Sequence, residues 1–122
     1  MIQHESIVVV ADNTGVTQGL VIGILKGNSK SAGIGDIVTI AYKKVSSSST
    51  FKKAGVGRAM VVRTVNNIKR ADGSYISFED NAVILVDNKK EPLGKRIFGP
   101  VAKELREKFG YKAIAAMAQE II

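Results

Sequence analysis

Residues 91–109 read EPLGKRIFGPVAKELREKF, and here the chain changes its rhythm. Before this segment the apolar residues come in short β-like runs. After Pro100, Val101, Leu105 and Phe109 recur at four-residue spacing, with Lys103, Glu104, Arg106 and Glu107 filling the other faces. That period predicts an amphipathic helix. Pro100 suits its first turn and Gly99 can cap it. Glu104 and Lys108 add an i,i+4 pair worth about 0.2–0.5 kcal/mol. Val101, Leu105 and Phe109 would pack the helix on the rest of the fold, at about 1.5–3 kcal/mol each if fully buried. Lys95 and Arg96 are then left on the loop ahead of it, free to meet phosphate or an acidic partner.

Working back from this segment, the chain reads as strands punctuated by turn residues. SIVVVA precedes the turn cluster DNTG at Asp12 to Gly15. In QGLVIGILKG, Leu20, Ile22 and Ile24 alternate with Val21, Gly23 and Leu25, which predicts a strand buried on both faces. SAGIGD turns into IVTIAYKKV. The serine run from Ser46 to Ser49, with Thr50, reads as a long hairpin loop ending at FKKAGVG. RAMVVRTV is a strand with Met60 and Val62 on one side and Val61 and Arg63 on the other. Asp72-Gly73 marks a hairpin, and NAVILVD completes the series. Beyond residue 110, AIAAMAQEII reads as a second short helix. At least five strands with a helical appendix from about residue 100 predict one small β-barrel domain over residues 1–122.

The composition narrows the partners. The chain has 122 residues, one domain's worth, and 45% of them are hydrophobic, enough for a single core. Eighteen basic against eleven acidic residues give +7, which favours polyanions, nucleic acid ahead of a membrane surface. With no cysteine there is no disulfide, thiolate metal site or cysteine nucleophile. The start MIQHESIVVVADN lacks a basic n-region and a long apolar h-region, and no apolar run approaches the ~18 residues of a membrane helix. These features predict a soluble intracellular protein.

The charge is sorted along the chain. Between Ile37 and Ala71 there is no acid, and the bases are Lys43, Lys44, Lys52, Lys53, Arg58, Arg63, Lys69 and Arg70. From Asp72 to Asn88 the order reverses, with Asp72, Glu79, Asp80 and Asp87 and no base. Blocks of this kind predict a basic face whose phosphate contacts release counterions. The basic block carries only Tyr42 and Phe51 as aromatics, so the recognition expected is of RNA backbone and shape rather than stacked bases.

Catalytic patterns fail one by one. His4 has no Ser or Asp arrangement around it and reads as a surface histidine. Gly94-Lys95 resembles the end of a phosphate loop, but Lys89 stands where the first glycine belongs and Arg96 replaces Ser or Thr. Glu79 and Asp80 are neighbours and would point to opposite faces of a strand. Each Asp-Asn pair abuts a strand and reads as a turn. No metal-ligand cluster or cofactor motif is present, and no enzyme is expected.

MIQ with VADNTG, AMVVRT, RADGSYISFEDNAVILVD and above all LGKRIFGPVAKELR resemble, in order and spacing, the universal large-subunit ribosomal protein number fourteen family, in its bacterial form. The resemblance runs over nearly the whole chain. It implies a five-stranded β-barrel with a projecting β-ribbon and short C-terminal helices. It also implies binding of large-subunit rRNA through Lys43, Lys44, Lys52, Lys53, Arg58, Arg63, Lys69 and Arg70. Lys95, Arg96 and Lys112 would face the small-subunit rRNA across the interface, or the ribosomal silencing factor. Neighbouring large-subunit proteins, family numbers three and nineteen, would pack on the barrel, the latter by extending a sheet.

Three departures stand out. DNTGVTQG lacks the base that commonly follows DNSGA in the family. SSSST replaces a ribbon usually carrying proline and glycine. AMAQE replaces SLAPE, with Gln119 for proline, so the last helix is expected to run longer. The competing readings are a free RNA-binding chaperone or translation factor on a small barrel, which needs exposed aromatics on one sheet face, and an enzyme acting on RNA.

Overall fold

The computed structural model describes residues 2–3, 5–25, 31–47, 55–70, 72–107 and 110–122, with the side chains at 68, 107 and 112 outside that description. Eleven strands are present among these residues: β1 (Ile2–Gln3), β2 (Ile7–Val10), β3 (Val16–Ile24), β4 (Ser31–Ala32), β5 (Ile37–Val45), β6 (Val56–Arg63), β7 (Ile68–Lys69), β8 (Tyr75–Ile76), β9 (Ala82–Val86), β10 (Ile97–Val101) and β11 (Ala118–Ile121). Two short helices, α1 (Glu104–Glu107) and α2 (Lys112–Met117), lie between the last two. Strands β2, β3, β5, β6 and β9 close a barrel in that order, sealed by the parallel pairing of β2 with β9, Val9 opposite Ala82. The five-stranded barrel expected from the sequence is thus observed.

Alternation puts Val8, Val10, Val21, Val38, Ile40, Ala59, Val61, Val83 and Leu85 into the lumen as one core. A second core lies outside the barrel. Met60, Val62, Ala82, Ile84 and Val86 point outward from β6 and β9 and are buried under Ile97, Val101, Leu105 and Ile114. These two strands are therefore apolar on both faces over residues 59–62 and 82–86. The Asp72-Gly73 turn joins β7 to β8, with Ile68 opposite Ile76 and Lys69 opposite Tyr75. The tip of the expected ribbon, residues 48–54, lies outside the described residues, and so do His4, Lys108 and Phe109.

Three expectations need correcting. Pro100 does not open a helix. Residues Ile97–Val101 form β10, and α1 begins only at Glu104. Gly99 has φ +82 and stands at a register irregularity between Ile97 and Pro100, where β10 runs parallel to β11. The left-handed backbone admits glycine at no steric cost, and a proline without an N–H is tolerated beside a bulge. Nor does the last helix run on. It stops at Met117, and the chain extends into β11, where the Gln119 side-chain oxygen accepts the Gly99 N–H at 3.0 Å.

The third correction concerns β3, which is buried on one face only. Val21 fills the lumen, Leu20 is half-buried and Ile22 is 45% exposed. The C-terminal segment covers β6 and β9 instead, leaving the outer wall of β3 bare. Ile24 is buried because an irregularity between Val21 and Gly23 turns it back toward the core.

Candidate nucleic-acid interface

The outer wall of β2, β3, β5 and β6 carries the first group of sequence-picked bases. Thr39, Ala41 and Lys43 point outward from β5, because Val38, Ile40 and Tyr42 point in. Arg58, opposite Thr39, is exposed on the adjacent strand. Lys43 and Arg58 thus share one face, on either side of Ala41 and its partner Val56. Lys44 is exposed at the same end of β5, opposite Gln18, and its carbonyl accepts the Thr17 hydroxyl at 3.3 Å. Lys69 is exposed on the β7–β8 hairpin. Lys52 and Lys53 lie outside the described residues.

Between Lys43 and Arg58 runs a feature the sequence reading missed. Ile7 is opposite Leu20, Leu20 opposite Ala41, and Ala41 opposite Val56. These four outward residues form one aliphatic row across four strands, with both ends well exposed, Ile7 at 59% and Val56 at 58%. It was hidden because each strand contributes a single residue to it.

Two of the bases picked from the sequence are engaged within the fold. Arg63 is 7% exposed. Its Nε and Nη2 donate to Asp80 at 2.9 and 3.2 Å, and its Nη1 donates to the Phe98 and Pro100 carbonyls at 2.8 and 3.2 Å. Four of its five N–H donors are thereby engaged, tying β6 to Asp80 and to β10. A side chain on Gly99 would collide with it, because a Cβ there would overlap Nη1. Arg70 is likewise engaged. It pairs with Glu104 at 2.8 Å and donates to the Ile122 carbonyl, fastening the hairpin to the C-terminal segment. The charge blocks suggested surface bases because the acids that neutralise these two arginines lie in other blocks of the sequence.

Lys95 and Arg96 are exposed on the loop before β10, and the side chain of Asn13 holds that loop. Its oxygen accepts the Lys95 N–H at 2.8 Å and the Arg96 N–H at 3.3 Å. A Cβ on Gly94 would lie 2.8 Å from that oxygen, so the loop can approach only with glycine there. Next to it, Asp12 is buried, with Oδ2 accepting the Leu85 N–H at 2.8 Å and Oδ1 the Thr14 hydroxyl at 2.6 Å. Burial pushes its carboxyl above 3.8, and the bonds from Thr14 and Leu85 only partly offset this. Asp12-Asn13 is therefore a tie between β2, β9 and the basic loop, as well as the turn expected. Lys112 stands at the start of α2, and its side chain lies outside the described residues.

The aromatics are distributed differently from the sequence expectation. Tyr42 is buried in the lumen, its phenol pushed up by that burial and by Asp12, and Phe51 is outside the described residues. Tyr75 at 63% and Phe98 at 48% are the exposed aromatics among the described residues, and they lie on separate elements. Among the described residues no group of acids or histidines could hold a metal ion, and no helix is long and apolar enough to cross a membrane.

Against this geometry, the family model for ribosomal protein L14p/L23e matches residues 1–122. The chain belongs to the ribosomal protein L14p/L23e family. Members of the L14p/L23e family are structural proteins of the large ribosomal subunit rather than catalysts. The closed five-stranded barrel agrees with the fold the resemblance implied.

Proposed function

We propose that this protein binds large-subunit rRNA through its basic outer wall and presents a second basic surface at the interface between subunits. The observation that carries the first part is the placement of exposed Lys43 and Arg58 on one barrel face, with Lys44 also exposed at the same end of β5. Lys69 joins them from the hairpin, and the resemblance adds Lys52 and Lys53, which lie outside the described residues. Arg63 and Arg70 leave the set and serve the fold. A convex, basic, largely aliphatic surface suits phosphate contacts and shape recognition of structured RNA.

Lys95 and Arg96 carry the second surface, toward small-subunit rRNA or the ribosomal silencing factor, and the resemblance adds Lys112, whose side chain lies outside the described residues. A loop pinned by Asn13 offers its two charges without first having to be ordered. The uncovered row Ile7, Leu20, Ala41 and Val56 suits packing by a neighbouring large-subunit protein such as family number three or nineteen. On this reading the protein works in the large subunit of cytoplasmic ribosomes, with an organellar ribosome as the alternative. The reading as a free chaperone or translation factor fits less well, because the bare sheet face presents aliphatic residues where stacking would need rings.

Sedimentation of a native lysate through a sucrose gradient at low and high salt tests this. Salt-resistant comigration with the large subunit at about one copy each is expected for an integral component. Release to the top fractions at modest salt would instead support the free factor.

A further inference from the structure

We propose that Tyr75 is a stacking platform for one unpaired base of the bound RNA, with Lys69 beside it on the adjoining phosphate. The proposal rests on the rRNA-binding reading above and adds a contact that the charge pattern did not reveal. Tyr75 is the most exposed of the large hydrophobic side chains among the described residues. Its register partner is Lys69, also exposed, so ring and ammonium stem leave the same face about 4.5–5.5 Å apart at Cβ. Ile76, next along β8, is half-buried on the opposite face of the ribbon.

The platform is braced. Asp72 Oδ1 accepts the Ser74 N–H and hydroxyl, the Arg70 N–H donates to the Ser74 carbonyl, and the Phe78 N–H donates to the Thr64 carbonyl. The Arg70 guanidinium then anchors the turn end of the hairpin to Glu104. Of the acids nearby, Glu104 is paired with Arg70, and Asp72 is held at the turn by Ser74 and faces Lys103. Among the described residues, Lys69 is the cation in register with the ring. A rigid ring with an adjacent lysine is the arrangement by which unstacked bases are captured without sequence reading, the ring taking the base and the ammonium the backbone.

Binding of deproteinised large-subunit rRNA at several salt concentrations tests the contact with three variants. Tyr75→Ala should weaken binding about tenfold, a typical loss for one stacked base, and leave the slope of log K against log salt unchanged. Tyr75→Phe should bind as the wild type does, since a ring is all that stacking needs. Lys69→Ala should reduce the slope by roughly 0.7–0.9, one phosphate's worth. Wild-type affinity in Tyr75→Ala, or equal losses in the Phe and Ala variants, would overturn the stacking contact while the rRNA reading stands. Failure of the wild-type protein itself to bind would overturn the rRNA reading, and this contact with it.

Discussion

On the outside of β6 and β9, Met60, Val62, Ile84 and Val86 are sealed beneath Ile97, Val101, Leu105 and Ile114. On the outside of β2 and β3, Ile7, Val9 and Ile22 are left to solvent. The two walls belong to one barrel and are built from the same aliphatic residues, so composition does not decide which is core. The decision is made by where the C-terminal segment returns. Arg63 and the Gly99 bulge hold β10 against β6, and nothing comparable reaches β3 among the described residues. One wall serves the fold and the other is free for partners.

The contrast can be broken most directly by truncating a residue on each wall. Leu105→Ala should lose roughly 2–5 kcal/mol in urea unfolding, as a fully buried leucine does, whereas Ile7→Ala should change stability by about 0.5 kcal/mol or less. Equal costs would mean that the bare wall is also core. Arg63→Met removes the tie between β6 and β10 and strands two carbonyls. About 2–3 kcal/mol is expected, below the value for a fully buried pair because Asp80 can rehydrate. The salt slope for rRNA should not move, and a drop would return Arg63 to the surface set. Gly99→Ala forces a Cβ into a left-handed backbone and onto Arg63, costing at least about 1–2 kcal/mol, measurable as a lower urea midpoint.

Smaller effects sharpen the comparison. The Asp12 carboxyl is raised above 3.8 by burial, so the folded chain keeps a proton there that the unfolded chain has lost. Its contribution to stability is therefore greatest at low pH and falls as pH rises from 3.8 through the raised value. In Asp12→Asn that component vanishes. The stability difference between wild type and variant should shrink with pH across this window and then level off. A difference that grew with pH would show the carboxylate to be favoured by folding. Smallest of all in stability, Lys43→Ala with Lys44→Ala should stay within about 0.5 kcal/mol of wild type. The pair should still reduce the rRNA salt slope, by roughly 0.7–0.9 for each phosphate left without its lysine.

The barrel was legible because its signals are local. AVILV, the Asp72-Gly73 turn and the alternation in IVTIAYKKV each declare themselves within a few residues. The C-terminal segment was misread because its pairing is not local. Ile97 lies opposite Ala118, and no window around Pro100 contains both. Val101 and Leu105 are buried on one side as a helix would place them, although the first ends a strand. At the candidate interface, the basic block could be counted but its internal pairings could not. Asp80 and Glu104 lie far along the chain from Arg63 and Arg70, and only the fold brings them together. Lys43 and Arg58 are exposed because both point outward from the part of the barrel wall that the C-terminal segment leaves uncovered.

The tie made by Asp12 and Asn13 also sets an order of events in time. Asn13 finds its partners 82 and 83 residues later, and Asp12 finds Leu85 73 residues later. Contacts of such separation form late, after the loop-closure entropy has been met. During synthesis the seam between β2 and β9 stays open until most of the chain has emerged. The outer wall of β6 stays bare until Ile97 and its neighbours follow. A chain stopped before β10 would present both aliphatic walls at once, the condition in which an unfinished barrel is most prone to aggregate.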